Sequence, residues 1–441
     1  MSITPRVHEV SPRLLKVAEM ARKDPSLRFQ TLAHLIDPDA LRRAFGRLAG
    51  RAAVGVDGVT KEQYGQDLEG NLAALHARLR AGHYRHQPIR RVHIPKAPGE
   101  TRPIGISSVE DKIVQGALRE VLEAIYEQDF LPCSHGFRPG RSAHGALRAV
   151  NRAVWVEGAR VILEADVQSF FDSVDRKRLL EMLRERIADE VFLRLVGKCL
   201  HVGVLDGEEF SLPDGGVVQG SVLSPLLGNL YLHHVLDRWF EREVTPRLRG
   251  RAQLIRYADD FVIAFDRRDD AERVLEALGL RMQRYALTLH PDKTRLVPFH
   301  RPDGGPGAGD GPGTFDFLGF TVHWRRSRKG GWALGFKTRT ARLRRAIASV
   351  AEFCRRRRHD PVKQQHADLC LRLVGHLNYY GVNSNHGSLA HLLKWTERWW
   401  RKWLDRRSQR ARMNWKRFGE LLGRFPLPRA TIRVQLWARA T

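Results

Sequence analysis

The stretch Gln253-Leu254-Ile255-Arg256-Tyr257-Ala258-Asp259-Asp260-Phe261-Val262-Ile263-Ala264-Phe265 decides the fold, because two apolar runs flank two adjacent carboxylates. That pattern predicts a β-hairpin with Asp259 and Asp260 at its tip. Upstream, Val161-Ile162-Leu163-Glu164-Ala165 reads as another strand and ends in a third acid, Asp166, followed by Gln168-Ser169-Phe170-Phe171-Asp172. Three carboxylates on two strand ends suit an open site for two hard cations about 4 Å apart, which stabilise the attacking and leaving oxygens of phosphoryl transfer. An isolated Asp-Asp pair in a turn is ordinarily a solvated turn. The segments around this one decide between the two readings.

In order along the chain come Gly55-Val56-Asp57-Gly58-Val59-Thr60, Arg91-Val92-His93-Ile94-Pro95-Lys96, Arg102-Pro103-Ile104-Gly105-Ile106 and Ser134-His135-Gly136-Phe137-Arg138-Pro139-Gly140-Arg141-Ser142. After Asp166 come Gln219-Gly220-Ser221-Val222-Leu223-Ser224-Pro225-Leu226, the Asp-Asp hairpin, Leu287-Thr288-Leu289-His290-Pro291-Asp292-Lys293-Thr294 and Phe315-Asp316-Phe317-Leu318-Gly319-Phe320. This ordered series resembles the reverse transcriptases encoded by bacterial group II introns, which also act as maturases. The resemblance runs from about Gly55 to the C-terminus. One departure is visible: the family commonly has Lys two residues after its first catalytic acid, and this chain has Gln168.

The resemblance implies an α+β right-hand polymerase, with fingers and palm built from antiparallel sheet plus helices and followed by an α-helical thumb, or X domain. The expected division is 1–80 for an N-terminal helical extension with its RT0-like segment, 81–338 for fingers and palm, and 339–441 for the thumb. It also implies site residues. Asp166 and Asp259 would bridge two Mg²⁺ ions, with Mn²⁺ as a substitute, Asp260 would assist, and the Val167 carbonyl would be a further ligand. Lys96 and Arg102 match residues that hold the incoming triphosphate. Phe171 stands where the family keeps a ring against the sugar 2′ position, although Phe170 and Phe171 also read as core aromatics at a strand-to-helix junction. Gln219 and Tyr257 match residues beneath the templating pair and the primer end. Arg138 and Arg141 are candidates for template phosphates, with a salt-bridged fingers loop as the alternative.

Composition agrees. The 441 residues carry 75 Lys plus Arg against 49 Asp plus Glu, a net charge of +26, which implies a polyanionic partner. The expected partners are an RNA template, group II intron RNA, a DNA primer or target and dNTPs. No run of about 18 apolar residues suggests a membrane span, and Glu9, Glu19 and Asp24 interrupt any basic presequence, so a cytoplasmic protein is expected. Cys133, Cys199, Cys354 and Cys370 form no close pair, so free thiols are expected, with neither a zinc site nor a paired-cysteine HNH endonuclease. The Gly/Pro-rich run 301–309 reads as a surface loop, and Lys329-Gly330-Gly331 as the turn of a further hairpin.

Residues 341–441 hold 23 Lys plus Arg against 6 Asp plus Glu, and six of the ten tryptophans. Trp395, Trp399 and Trp403 recur at i, i+4 and i+8 on one helical face, which predicts core packing. Arg355-Arg356-Arg357-Arg358 and the cluster Arg401, Lys402, Arg406, Arg407, Arg410, Arg412 exceed what a solvated face needs, which points to phosphate contact. Leu377-Asn378-Tyr379-Tyr380-Gly381 is similar to a short thumb motif. The function expected is RNA-directed DNA synthesis from a primer 3′-OH, together with intron-RNA binding as a maturase. A non-catalytic splicing factor and a domesticated enzyme of defence or repair are the alternatives.

Overall fold

The computed structural model describes residues 11–97, 100–213, 215–302, 313–327, 330–408 and 412–437, without the side chains of Lys96, Ala97 and Glu100. Most of the run 301–309, and the dipeptide 328–329, lie outside the described residues.

Four helices open the chain, Pro12–Lys23, Pro38–Arg47, Lys61–Tyr64 and Leu68–Arg80. Local chemistry sets their starts: the side chain of Asp37 accepts from the Ala40 N–H, and Thr60 and Gln63 form a reciprocal capping box. The first two pack on the long helix Val109–Asp129. Their apolar faces, with Leu14, Val17, Ala40 and Leu41, join the same core as the palm residues Leu163, Phe261 and Leu287. Among the described residues, 11–80 share one core with the palm rather than forming a core of their own.

Strands β1 (Ile89–Ala97) and β2 (Glu100–Ile106) form the fingers hairpin, extended by β4 (Val204–Asp206) and β5 (Glu209–Ser211) into a sheet of order β2-β1-β4-β5. The palm sheet joins β3 (Val161–Asp166), β6 (Ala252–Tyr257), β7 (Asp260–Phe265) and β8 (Arg295–Pro298) in the order β6-β7-β3-β8, every neighbour antiparallel. Both faces of this sheet are covered at its centre, so β7 and most of β3 are apolar on both faces rather than alternating with polar residues. Leu163, Ala165, Phe261 and Ile263 face the first core, whereas Ile162, Val262 and Ala264 face a second. That second core is completed by β9 (Phe315–Phe317), β10 (Phe320–Arg326) and β11 (Trp332–Thr338), a sheet of order β11-β10-β9 that contains the hairpin expected around Gly330.

The thumb consists of helices Thr340–Arg356, Val362–Tyr380, His386–Asp405 and Trp415–Arg424 around a third core that includes Phe353, Leu369, Trp400 and Phe418. The tryptophan expectation holds in part: Trp399 and Trp403 pack against this core from its edge, whereas Trp395 does not join it. The buried face of His386–Asp405 is Leu389, Leu392, Thr396, Trp400 and Leu404. Trp395, Trp399 and Trp403 flank it half-buried, with Arg398, Lys402 and Arg406 lying over their rings. The last described segment returns to the palm side: Val434 bridges Val382, and Trp437 packs near Phe336.

Candidate active site

The site is built on the edge of the palm sheet where β3 and β7 end together. Asp166 and Asp260 are register partners, so their side chains share one face, and Asp259 occupies the two-residue turn between β6 and β7 with Ala258. Ala258 adopts φ 58°, a left-handed conformation that costs a non-glycine residue on the order of 1 kcal/mol, so the surroundings must impose it. They do so from below. A Cβ on Gly136 would lie 2.4 Å from the Ala258 nitrogen, which restricts that position to glycine.

Like charges meet at this mouth. Burial pushes the Asp260 carboxyl up to about 7, and the charges of Asp166 and Asp259 push the same way. Asp259 is raised as well, first by burial and then by Asp166, with Arg102 close enough to oppose the shift. Lys293 answers part of the charge: its Nζ donates to Asp166 Oδ2 at 2.6 Å. The segment carrying it is tied alongside the end of β3, the Gln168 N–H donating to the Thr288 carbonyl and the His290 N–H to that of Asp166. Acids held together against mutual repulsion, one already drawing in an ammonium, fit a divalent cation. Among the described residues no three His, Cys, Asp or Glu side chains are grouped closely enough to hold a metal ion by themselves.

The other expected site residues gather around this mouth to different degrees. Arg102 lies on β2, exposed; Lys96 lies on β1 with its side chain outside the described residues. Val167 is buried beside Asp166 and bridges Leu289. Phe170 is core, whereas Phe171 is half-buried, edge-on to Phe170 with ring centroids 5.2 Å apart. The Phe171 carbonyl accepts from the Val217 N–H and the Gln219 carbonyl from the Gly105 N–H, so the 216–220 loop is wedged between Phe171 and the fingers strand β2. Tyr257 packs near Phe137.

The arginines divide. Arg138 does not fit the template contact expected of it: it is buried, paired with Glu127 at 3.0 Å, and donates to the carbonyls of Leu131 and Ser134. Arg141 is exposed. In the thumb, Arg401 donates to the Met413 carbonyl beneath Trp415, and Arg407 to the carbonyls of His359 and Asp360, so part of each guanidinium braces the helices. Arg355 and Arg356 pair with Glu352, and Arg357 pairs with Asp360. Arg406 is exposed and Lys402 half-exposed. Arg412 is exposed, and Arg410 lies outside the described residues.

Residues 94–322 match the reverse transcriptase (RNA-dependent DNA polymerase) family. Over 356 residues the chain is 36% identical to protein YkfC of Escherichia coli, covering 73% of this chain and 90% of that protein. The chain belongs to the reverse transcriptase family. It is also 35% identical over 228 residues to group II intron-encoded protein LtrA of Lactococcus lactis subsp. cremoris, 49% of this chain and 38% of that one. Against nuclear intron maturase 4, mitochondrial, of Arabidopsis thaliana it is 33% identical over 132 residues, 29% of this chain and 16% of that one. The matches thus span well under half the length of these two intron proteins. Reverse transcriptases use divalent metal ions and act on RNA and DNA. No helix among the described residues is long and apolar enough to cross a membrane.

Proposed function

We propose that this reverse transcriptase copies RNA into DNA by adding dNTPs to a primer 3′-OH, at the strand-end mouth of β3 and β7. The observation that carries the reading is the convergence of Asp166, Asp259 and Asp260 on one sheet edge, with Arg102 beside them. Asp166 and Asp259, with the Val167 carbonyl, would hold two Mg²⁺ ions, or Mn²⁺ in their place, with Asp260 assisting; such ions would supply charge that eases deprotonation of the primer hydroxyl and offsets the leaving pyrophosphate. Lys96 and Arg102 grip the triphosphate, where fixed cationic donors offset charge that grows on the leaving group. Phe171 lies against the sugar and rejects a 2′-OH. Gln219 and Tyr257 support the templating pair and the primer end, and Arg141 meets template phosphate.

The same chain serves as a maturase for group II intron RNA in the cytoplasm. The relatives named as intron-encoded protein and intron maturase favour this second role, as does the basic thumb, where Lys402 and Arg406 sit on the outer face. Primer extension on an RNA template, comparing the native chain with the Asp259→Ala, Asp260→Ala double variant, tests the polymerase. Mg²⁺-dependent cDNA from the native chain alone is expected; tight RNA binding with no cDNA from either would leave the maturase role only. Failure to stimulate splicing of a neighbouring group II intron would remove that second role.

A further inference from the structure

Beneath the Asp-Asp turn lies a charged side chain that faces no solvent and no substrate. Arg256 is fully buried, two residues before Ala258, and each of its five N–H groups has a partner inside the protein. Nε and one Nη2 hydrogen reach the two oxygens of the equally buried Asp237, at 2.8 and 2.6 Å. The second Nη2 hydrogen meets Ser134 Oγ at 2.8 Å. From Nη1, one hydrogen goes to Asn229 Oδ1 and the other to the carbonyl of Ala258, each at 2.9 Å.

These acceptors come from four places in the chain. Asp237 ends the π-helical turn His233–Asp237, and Asn229 lies in helix Ser224–Leu232. Ser134 belongs to the loop that runs beside β6, where the Arg256 N–H donates to the Cys133 carbonyl and the His135 N–H to that of Arg256. The fourth acceptor is the peptide that joins Ala258 to Asp259. Asn229 closes the network by donating to the Gly136 carbonyl, and Gly136 is the residue pressed against the turn.

We propose that Arg256 is a positioning residue for the reaction: through the Ala258 carbonyl it fixes the left-handed turn that aims Asp259 at Asp166, using Asp237, Asn229 and Ser134 as rigid anchors. This rests on the reading of Asp259 as a metal-holding carboxylate. A charge costs much to bury, and a simple strut could be apolar. What an apolar side chain cannot do is hold a carbonyl and three separate elements in one plane, which the guanidinium fork does. Lysine keeps the charge opposite Asp237 but lacks the fork, so the ion pair and the grip on Ala258 come apart in one substitution.

The test is Arg256→Lys in the full chain with primer and RNA template bound. The expected result is a kcat lower by about 10- to 100-fold, as for a reacting group moved by about 1 Å, with the dNTP KM and the primer–template Kd within about twofold of native. Mn²⁺ affinity of the complex, read by electron paramagnetic resonance on a 3′-deoxy primer so that no turnover is involved, weakens by about tenfold, a response a purely structural strut would not give. Native kcat and native Mn²⁺ affinity in a variant that merely melts earlier would overturn the proposal. Should Arg256→Lys fail to fold, Ser134→Ala keeps the Asp237 pair and removes one anchor. It is expected to lower kcat and Mn²⁺ affinity together by about two- to fivefold, the loss of one net hydrogen bond, and native values of both would overturn the proposal. A native chain that neither binds Mn²⁺ nor makes cDNA would instead overturn the polymerase reading beneath it.

Discussion

Lys293 and Asp166 form an ion pair of 2.6 Å at the mouth of the site, across 127 positions of sequence. The ammonium occupies a carboxylate oxygen that the proposed function assigns to a metal ion, so the two cations compete. Lys293→Met is therefore expected to tighten Mn²⁺ binding by the nucleic-acid-free protein by about tenfold, a change of about 1.4 kcal/mol for a partly exposed pair. Titration by electron paramagnetic resonance measures it, and an unchanged affinity would show that the pair does not occupy a metal position.

The raised carboxyl of Asp260 gives a pH dependence with a fixed sign. Its folded value of about 7 lies above the unfolded aspartate value of about 3.9, so the folded state holds the extra proton between them. Its contribution to stability is complete below about pH 4 and is lost as pH rises through about 7. Metal-free protein should melt earlier at pH 8 than at pH 6 on this account, and Mg²⁺ should restore more of the melting temperature at pH 8. A Mg²⁺ effect larger at pH 6 would contradict it.

Phe171→Ala opens the half-buried ring position and leaves Phe170 in the core, while removing the edge-on contact between the two rings. The ratio of kcat/KM for dNTP over rNTP should fall by about tenfold or more, the scale on which a pocket discriminates by shape. An unchanged ratio would discard the sugar-gate role.

Gly136→Ala would place its Cβ 2.4 Å from the Ala258 nitrogen. Overpacking of that kind costs about 1–3 kcal/mol, and here the strain falls on the catalytic turn. Activity should drop by a larger factor than the folded fraction does, measured on protein shown to be folded by circular dichroism; equal losses would mean that the strain is absorbed elsewhere.

The thumb arginines should separate into two kinds. Lys402→Gln with Arg406→Gln is expected to lower the slope of log affinity against log salt by about two, with little change in melting temperature. Arg401→Gln or Arg407→Gln removes donors to backbone carbonyls and should lower the melting temperature instead. The reverse assignment would show that the inward-turned arginines are the ones that meet phosphate.

How much of this was legible in the sequence depends on the kind of signal. The hairpin around Asp259 and the strand ending at Asp166 were readable because continuous apolar runs mark strands buried on both faces. The order of the surrounding motifs gave the α+β hand and its helical thumb. Burial of polar residues was not readable, since an arginine in a loop carries no mark of whether it turns inward. Arg138, Arg401 and Arg407 turn inward because backbone carbonyls nearby need donors. Trp400 was overlooked because the i, i+4, i+8 spacing selects Trp395, Trp399 and Trp403, whereas the neighbouring helices select the adjacent face. Arg256 sits inside a strand, where a charged residue between apolar ones was the only hint of its partner; nothing local ties it to Asp237, 19 positions earlier.

The central claim, that this chain copies RNA into DNA at Asp166 and Asp259, is tested most directly by sequencing the product made from a defined RNA template with a DNA primer, dNTPs and Mg²⁺. The native chain should yield DNA complementary to the template, and Asp166→Asn, which keeps the shape of the strand end and removes its charge, should yield none while binding the primer–template equally well. Full-length complementary DNA from Asp166→Asn would contradict the account, because the carboxylate placed at the centre of the site would then be dispensable.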